Sequence, residues 1–221
     1  MKYIKKFSTH AEYEAAESSL ILPNVSFCVD TPNEVHYNPY VAPDPYNGHD
    51  YVDLGLPSGT KWATINVGAT SETDYGNYYQ YGKGADDYSV TSGQSNYSGT
   101  ENPLAASADT ATQVWGGSWH IPTYTQLNEL NNNTTYEWVT NFNGSGVNGG
   151  KFTATDGSGN YIFIPAAGNY SYGQLNGLGT GGGVWSSTPD EYTSARCFYI
   201  KSKNIGISSR LSGYSVRGVV G

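Results

Sequence analysis

The chain has 221 residues, of which 14% are charged and 37% hydrophobic, with a net charge of −8. No apolar run approaches the roughly 18 residues of a membrane helix, no heptads point to a coiled coil, and a Lys/Arg-poor acidic chain is a poor binder of nucleic-acid phosphates. Its 28 Gly and 20 Tyr give a polar, weakly charged palette suited to loop-rich binding proteins, where Tyr supplies contact area and Gly supplies adaptable backbone.

In chain order, residues 1–40 read as a separate module. Lys2, Lys5 and Lys6 open the chain, but no apolar signal-peptide stretch follows them. Thr9 and Glu12 form a capping box ahead of a helix over 10–18. Residues 25–29 read as a strand, 30–33 as a turn and 34–37 as the return strand of a hairpin. Pro43 and Pro45 mark a stiff linker over 41–47, continuing from Pro39. From residue 48 onward the segments are short and Gly-divided. Strands are expected at 51–54, 61–65 and 77–81, and a long surface loop over 83–108. Thr123 and Gln126 form a second capping box, and Tyr124, Leu127 and Leu130 recur at helical spacing. Strands resume at 151–155 and 161–165. The Gly-rich stretch 168–183 reads as flexible or tightly turned. Strands then follow at 184–185, 198–200, 205–207 and 214–219. The expected fold class is α+β, with short antiparallel strands and one main helix.

Several motifs, in order, carry a resemblance. They are Tyr51-Val52-Asp53-Leu54-Gly55-Leu56-Pro57-Ser58-Gly59-Thr60-Lys61-Trp62-Ala63, Asn66-Val67-Gly68-Ala69 and Tyr75-Gly76-Asn77-Tyr78-Tyr79. After these come Trp115-Gly116-Gly117-Ser118-Trp119-His120-Ile121-Pro122-Thr123, Phe163-Ile164-Pro165-Ala166-Ala167-Gly168, Trp185-Ser186-Ser187 and Ser215-Val216-Arg217. Residues 48–220 thereby resemble a major paralogous domain of gut bacteria and their phages. The resemblance implies a C-type-lectin-like fold of the formylglycine-generating-enzyme-like branch. That branch includes variable proteins of diversity-generating retroelements and phage receptor-binding proteins. It also implies a buried Trp119, a core helix after Thr123 and an exposed face built from the last forty residues. His120 stands where the family usually has Arg, and Arg217-Gly218-Val219-Val220 replaces a usual Arg-Pro-Val. Residues 1–40 resemble a module at the start of phage structural proteins, which implies attachment or trimer formation.

The enzyme that names the branch works through paired cysteines, whereas here Cys197 has only Cys28 in the other module. Small disulfide scaffolds are far denser in Cys, so two unrelated thiols are expected and no catalytic residue is assigned. His10, His36, His49 and His120 show no metal-ligand spacing. Thr188-Pro189-Asp190 and Glu101-Asn102-Pro103 lack the full set of a calcium-dependent sugar site. The Gly run 179–183 lacks the Lys-Ser/Thr of a phosphate loop. No metal and no cofactor are expected.

A binding surface is the stronger reading. In retroelement variable proteins, adenines of AAC codons are copied to any base, giving N-N-C codons that reach Tyr, Ser, Asp, Thr, Arg, Cys, Gly, Leu and Ile but not Lys, Glu, Gln, Met or Trp. Glu191, Lys201 and Lys203 are therefore excluded from such a set. The expected ligand-binding residues are Asp190, Tyr192, Thr193, Arg196, Cys197, Tyr199, Gly206, Ser208, Arg210, Leu211, Ser212 and Tyr214. Strand alternation puts Phe198, Ile200, Ile205 and Ile207 inward, and Cys197, Tyr199, Gly206 and Ser208 outward. The expected partner is a host cell-surface protein or glycan, without nucleic acid or membrane insertion. The expected setting is a virion or an extracellular surface.

Overall fold

The structure is a computed structural model that describes Lys6–Phe7, Cys28–Val29 and residues 44–88 and 95–221. The chain divides into two units, Met1–Asp44 and Pro45–Gly221. In the first unit, β1 (Lys6–Phe7) and β2 (Cys28–Val29) pair in parallel. The expected helix over 10–18 and the return strand over 34–37 lie outside the described residues.

The second unit is mostly β. A three-stranded sheet has the order β15–β4–β3, with β3 at Tyr51–Asp53, β4 at Lys61–Asn66 and β15 at Arg217–Val220. A second joins β6 (Thr134–Val139), β7 (Gly149–Ala154) and β8 (Tyr161–Pro165). A third joins β11 (Gly183–Pro189), β12 (Ser194–Tyr199) and β13 (Asn204–Ser209). The fourth has the order β10–β9–β14–β5, with β5 at Tyr79–Gln80, β9 at Asn169–Ser171, β10 at Gln174–Asn176 and β14 at Gly213–Tyr214. Every pairing in these four sheets is antiparallel.

Among the described residues there are two α-helices, α1 (Thr110–Trp115) and α2 (Tyr124–Asn133). This corrects the α+β, C-type-lectin-like expectation: the unit is a β-sandwich, not a helix-plus-sheet fold. The physical reason is the scale of the helical signal. The capping box at Thr123 forms as expected, but α2 has only 10 residues and fully buries only Leu127 and Leu130. It then passes straight into the Thr- and aromatic-rich strand β6. Two buried side chains do not make a helical layer.

Beside a smaller cluster around Tyr78, Tyr88 and Ala167, two large core clusters fill the unit. One gathers Tyr79, Tyr81, Trp115, Trp119, Trp185, Cys197 and Tyr214. The other gathers Trp62, Leu127, Leu130, Phe152, Ile164 and Phe198. Consecutive residues of β12 enter different clusters, Cys197 the first and Phe198 the second. Trp62 and Ala63 of β4 divide in the same way. These central strands are therefore buried on both faces, like slices between two apolar layers.

Indole donors stitch the first cluster to main chain. Trp119 Nε1 donates to the Tyr46 carbonyl at 2.7 Å and Trp185 Nε1 to the Tyr79 carbonyl at 2.7 Å, as buried Trp requires. The expected surface loop over 83–108 also departs from expectation, because Tyr88, Leu104 and Ala108 are buried.

Candidate ligand-binding surface

Within 188–214, the twelve residues from Asp190 to Tyr214 named above are expected to face outward. The strands of this segment instead separate sharply by burial. Cys197 is 0% exposed and Arg210 is 1% exposed, and Ser212 and Tyr214 are also buried. These four are corrected from surface to scaffold, as is the implied exposure of the last forty residues: positions 212–220 are buried throughout.

Each has a physical reason. Cys197 lies opposite Trp185 in register and shares its cluster, and burial pushes its thiol pKa well up. Arg210 donates from Nε to the Ser194 carbonyl at 3.1 Å, and from one terminal nitrogen to the Tyr97 and Gly99 carbonyls at 2.8 and 2.9 Å. Its guanidinium also lies 5.1 Å from the Tyr81 ring centroid. It therefore clamps two main-chain segments through three carbonyls. Tyr214 packs against Trp185 with ring centroids 4.9 Å apart, and its hydroxyl accepts from Ser208 Oγ at 3.2 Å.

Tyr199, Gly206, Ser208 and Leu211 are half-buried. The Tyr199 hydroxyl donates to the Ile207 carbonyl at 2.9 Å. A Cβ on Gly206 would meet the Tyr199 ring at 2.9 Å. Tyr199, Gly206 and Ser208 line a packed seam beside Tyr214, not a free surface.

The exposed remainder is compact. Tyr192, 61% exposed, and Thr193 stand at the tip between β11 and β12. Arg196 pairs with Asp190 at 2.6 Å and places its guanidinium 5.4 Å from the Tyr124 ring centroid. Tyr124 is the first residue of α2 and is 40% exposed. Its backbone N–H donates to Thr188 Oγ1 at 2.9 Å, which ties the helix start to the end of β11. Ile207, the register partner of Arg196, is 53% exposed, so the expectation that it points inward is also corrected.

Tyr124 and Ile207 were missed as surface residues. Tyr124 was counted into the apolar stripe with Leu127 and Leu130, although its place at the helix start leaves it beyond the core. Ile207 does share the face of Phe198 in register, but it stands on edge strand β13 opposite Arg196, where the core no longer covers that face.

The assembled patch offers two phenol rings, one guanidinium held by a carboxylate, a hydroxyl and one aliphatic side chain. This set can stack, donate hydrogen bonds and bury apolar area. Among the described residues, no group of three or more His, Cys, Asp or Glu could hold a metal ion. No described helix is long and apolar enough to cross a membrane. Comparison with known family models, curated proteins and solved structures finds no match for this chain.

Proposed function

We propose that this chain is a non-enzymatic recognition protein whose contact surface is the Tyr192–Thr193 tip together with Asp190, Arg196, Tyr124 and Ile207. The observation that carries the reading is the contrast within one short segment: Tyr192 and Ile207 are exposed, and half-buried Arg196 stands on β12 between the fully buried Ala195 and Cys197. Tyr and Arg are the residues that most often dominate binding energy. Rigid backing lowers the ordering cost of using them. The ordered motifs shared with domains of gut bacteria and their phages support a host-recognition role on a phage tail or virion, with a cell-surface protein or glycan as partner. The unit before Pro45 would then serve attachment or trimer formation.

The test is binding of the fluorescently labelled chain to a panel of gut bacterial cells. Replacing Tyr192 and Arg196 together with Ala is expected to weaken cell binding by at least about tenfold, the effect of losing about 1.4 kcal/mol, with the melting temperature unchanged. Equal binding by the double variant, or none by the intact chain on any cell, overturns the reading. A nearby template repeat that differs from the coding segment for 188–214 only at adenines would identify the surface as diversified. Its absence would favour a fixed-ligand adhesin.

A further inference from the structure

A second concave site lies elsewhere in the same unit and shares no residue with the patch above. It is a cleft of about 320 Å3 between β3, β4, β8 and the loop carrying Glu72. That volume sits at the lower end of the roughly 300–1,000 Å3 range of ligand pockets and suits one small ring.

Its walls are mixed in character. Val52 and the Tyr161 ring supply apolar surface above fully buried Phe163, while Thr64, Glu72 and Asn160 supply polar groups. The Glu72 carboxylate makes no hydrogen bond or ion pair among the described residues. The loop that carries it is nonetheless fixed. Asp74 Oδ2 accepts from the Thr70 N–H at 3.0 Å and the Thr70 hydroxyl at 3.2 Å, and its Oδ1 accepts from the Gly76 N–H at 3.1 Å. Asn160 is fixed as well: its side-chain nitrogen donates to the Asp53 carbonyl at 2.9 Å and its own carbonyl accepts from the Ala154 N–H at 2.8 Å. This leaves its Oδ1 as an acceptor. The Thr64 hydroxyl reaches the Asp50 carbonyl only at 3.5 Å, a weak engagement.

Charge narrows the class of ligand. Glu72 and the net charge of −8 disfavour an anion. A cation is disfavoured by Lys151, whose ammonium lies 4.3 Å from the Tyr161 ring centroid. It is disfavoured further by buried Arg217, which donates to the Phe163 carbonyl at 2.9 Å and feels the Glu72 charge. A neutral ligand bearing several hydroxyls remains. Its hydroxyls would be met by carboxylate and amide acceptors and by hydroxyl donors, and its C–H groups by Val52 and the Tyr161 ring.

We propose that this cleft binds a single neutral sugar ring, with Glu72 and Asn160 accepting from its hydroxyls and Thr64 donating to it. The experiment is an amide chemical-shift titration of the full chain with methyl α-glucoside, methyl α-mannoside and methyl α-galactoside, each to ~50 mM, the concentration that saturates millimolar sites. At least one glycoside is expected to shift the amides of Thr64, Gly159, Asn160 and Tyr161 with a millimolar Kd. Glu72→Ala and Thr64→Val, each with an unchanged melting temperature, are expected to weaken that Kd by about tenfold or more. Three outcomes overturn the proposal: no shift at these amides with any of the three sugars, an unchanged Kd in whichever of the two variants stays folded, or tighter binding there of methylammonium or inorganic phosphate. None of these outcomes bears on the Tyr192–Arg196 patch, so the two sites stand or fall separately.

Discussion

Arg210 and Cys197 show how single residues decide what the C-terminal segment does. A guanidinium that satisfies three half-buried carbonyls leaves all three unpaired when it is removed, and each orphaned group carries a desolvation penalty. Arg210→Ala is therefore expected to lower unfolding free energy by about 3 kcal/mol, as read by urea denaturation. A loss under about 0.5 kcal/mol, the scale of ordinary surface changes, would put Arg210 back on the surface. Cys197 is expected to stay inert to Ellman's reagent in a folded Cys28→Ser background and to react only once the chain is unfolded. Cys197→Ser places a hydroxyl among Trp185 and Tyr214 and is expected to cost about 2 kcal/mol. Both residues had read as surface because of their type. Arg is usually exposed, and a lone Cys among polar neighbours fits a variable surface. The hydrogen bonds that reverse those expectations come from residues 97 and 99, more than a hundred positions away in sequence. No local pattern contains that information.

Among the elements, the most legible was α2. Its capping box needs only Thr123 and Gln126, and both reciprocal hydrogen bonds form. Thr123→Ala is expected to destabilise the unit by about 1 kcal/mol in the same denaturation assay. The least legible helix was α1. Its six residues have no apolar repeat, and its start depends on Asp109, which accepts from the Thr112 N–H at 3.0 Å and from the distant Ile121 N–H at 2.8 Å. The hairpin β9–β10 was hidden by glycine. Its turn places Tyr172 and Gly173 at φ 49° and 75°, the two positive-φ positions of a type I′ turn. Tyr is a strained choice there, and its side chain is 98% exposed. Tyr172→Asn is expected to stabilise the unit by about 1 kcal/mol, seen as a higher melting temperature; a lower one would mean that the ring packs in solution. Alternation failed at β12 for a related reason. A period of two separates an apolar from a polar face only when one face meets water, and here each face meets a different core cluster.

At the scale of the whole molecule, burial of tyrosines couples stability to alkaline pH. Desolvation pushes the Tyr78 phenol up to about 12, with neighbouring Tyr170 and Tyr75 adding to the shift. Burial raises Tyr81 and Tyr214 as well. In the unfolded chain a phenol ionises near 10, so between that pH and the folded-state value the folded chain holds more protons. The stability these phenols contribute is fully present below about pH 10 and is lost as pH rises through 12 for Tyr78. Spectrophotometric titration is expected to show one population of phenols ionising normally and another ionising only as the chain unfolds. A single normal transition would contradict the burial of Tyr78, Tyr81 and Tyr214.

The central claim is that a fixed, doubly buried scaffold carries a small tolerant patch within 188–214. The most direct measurement is a displayed library randomised one position at a time across that segment and selected for survival of protease digestion. Positions 192, 193, 196 and 207 are expected to accept most residue types, while 195, 197, 198, 210 and 214 accept few. Equal tolerance at both sets, or constraint at 192 and 196 as strict as at 198, would contradict the account.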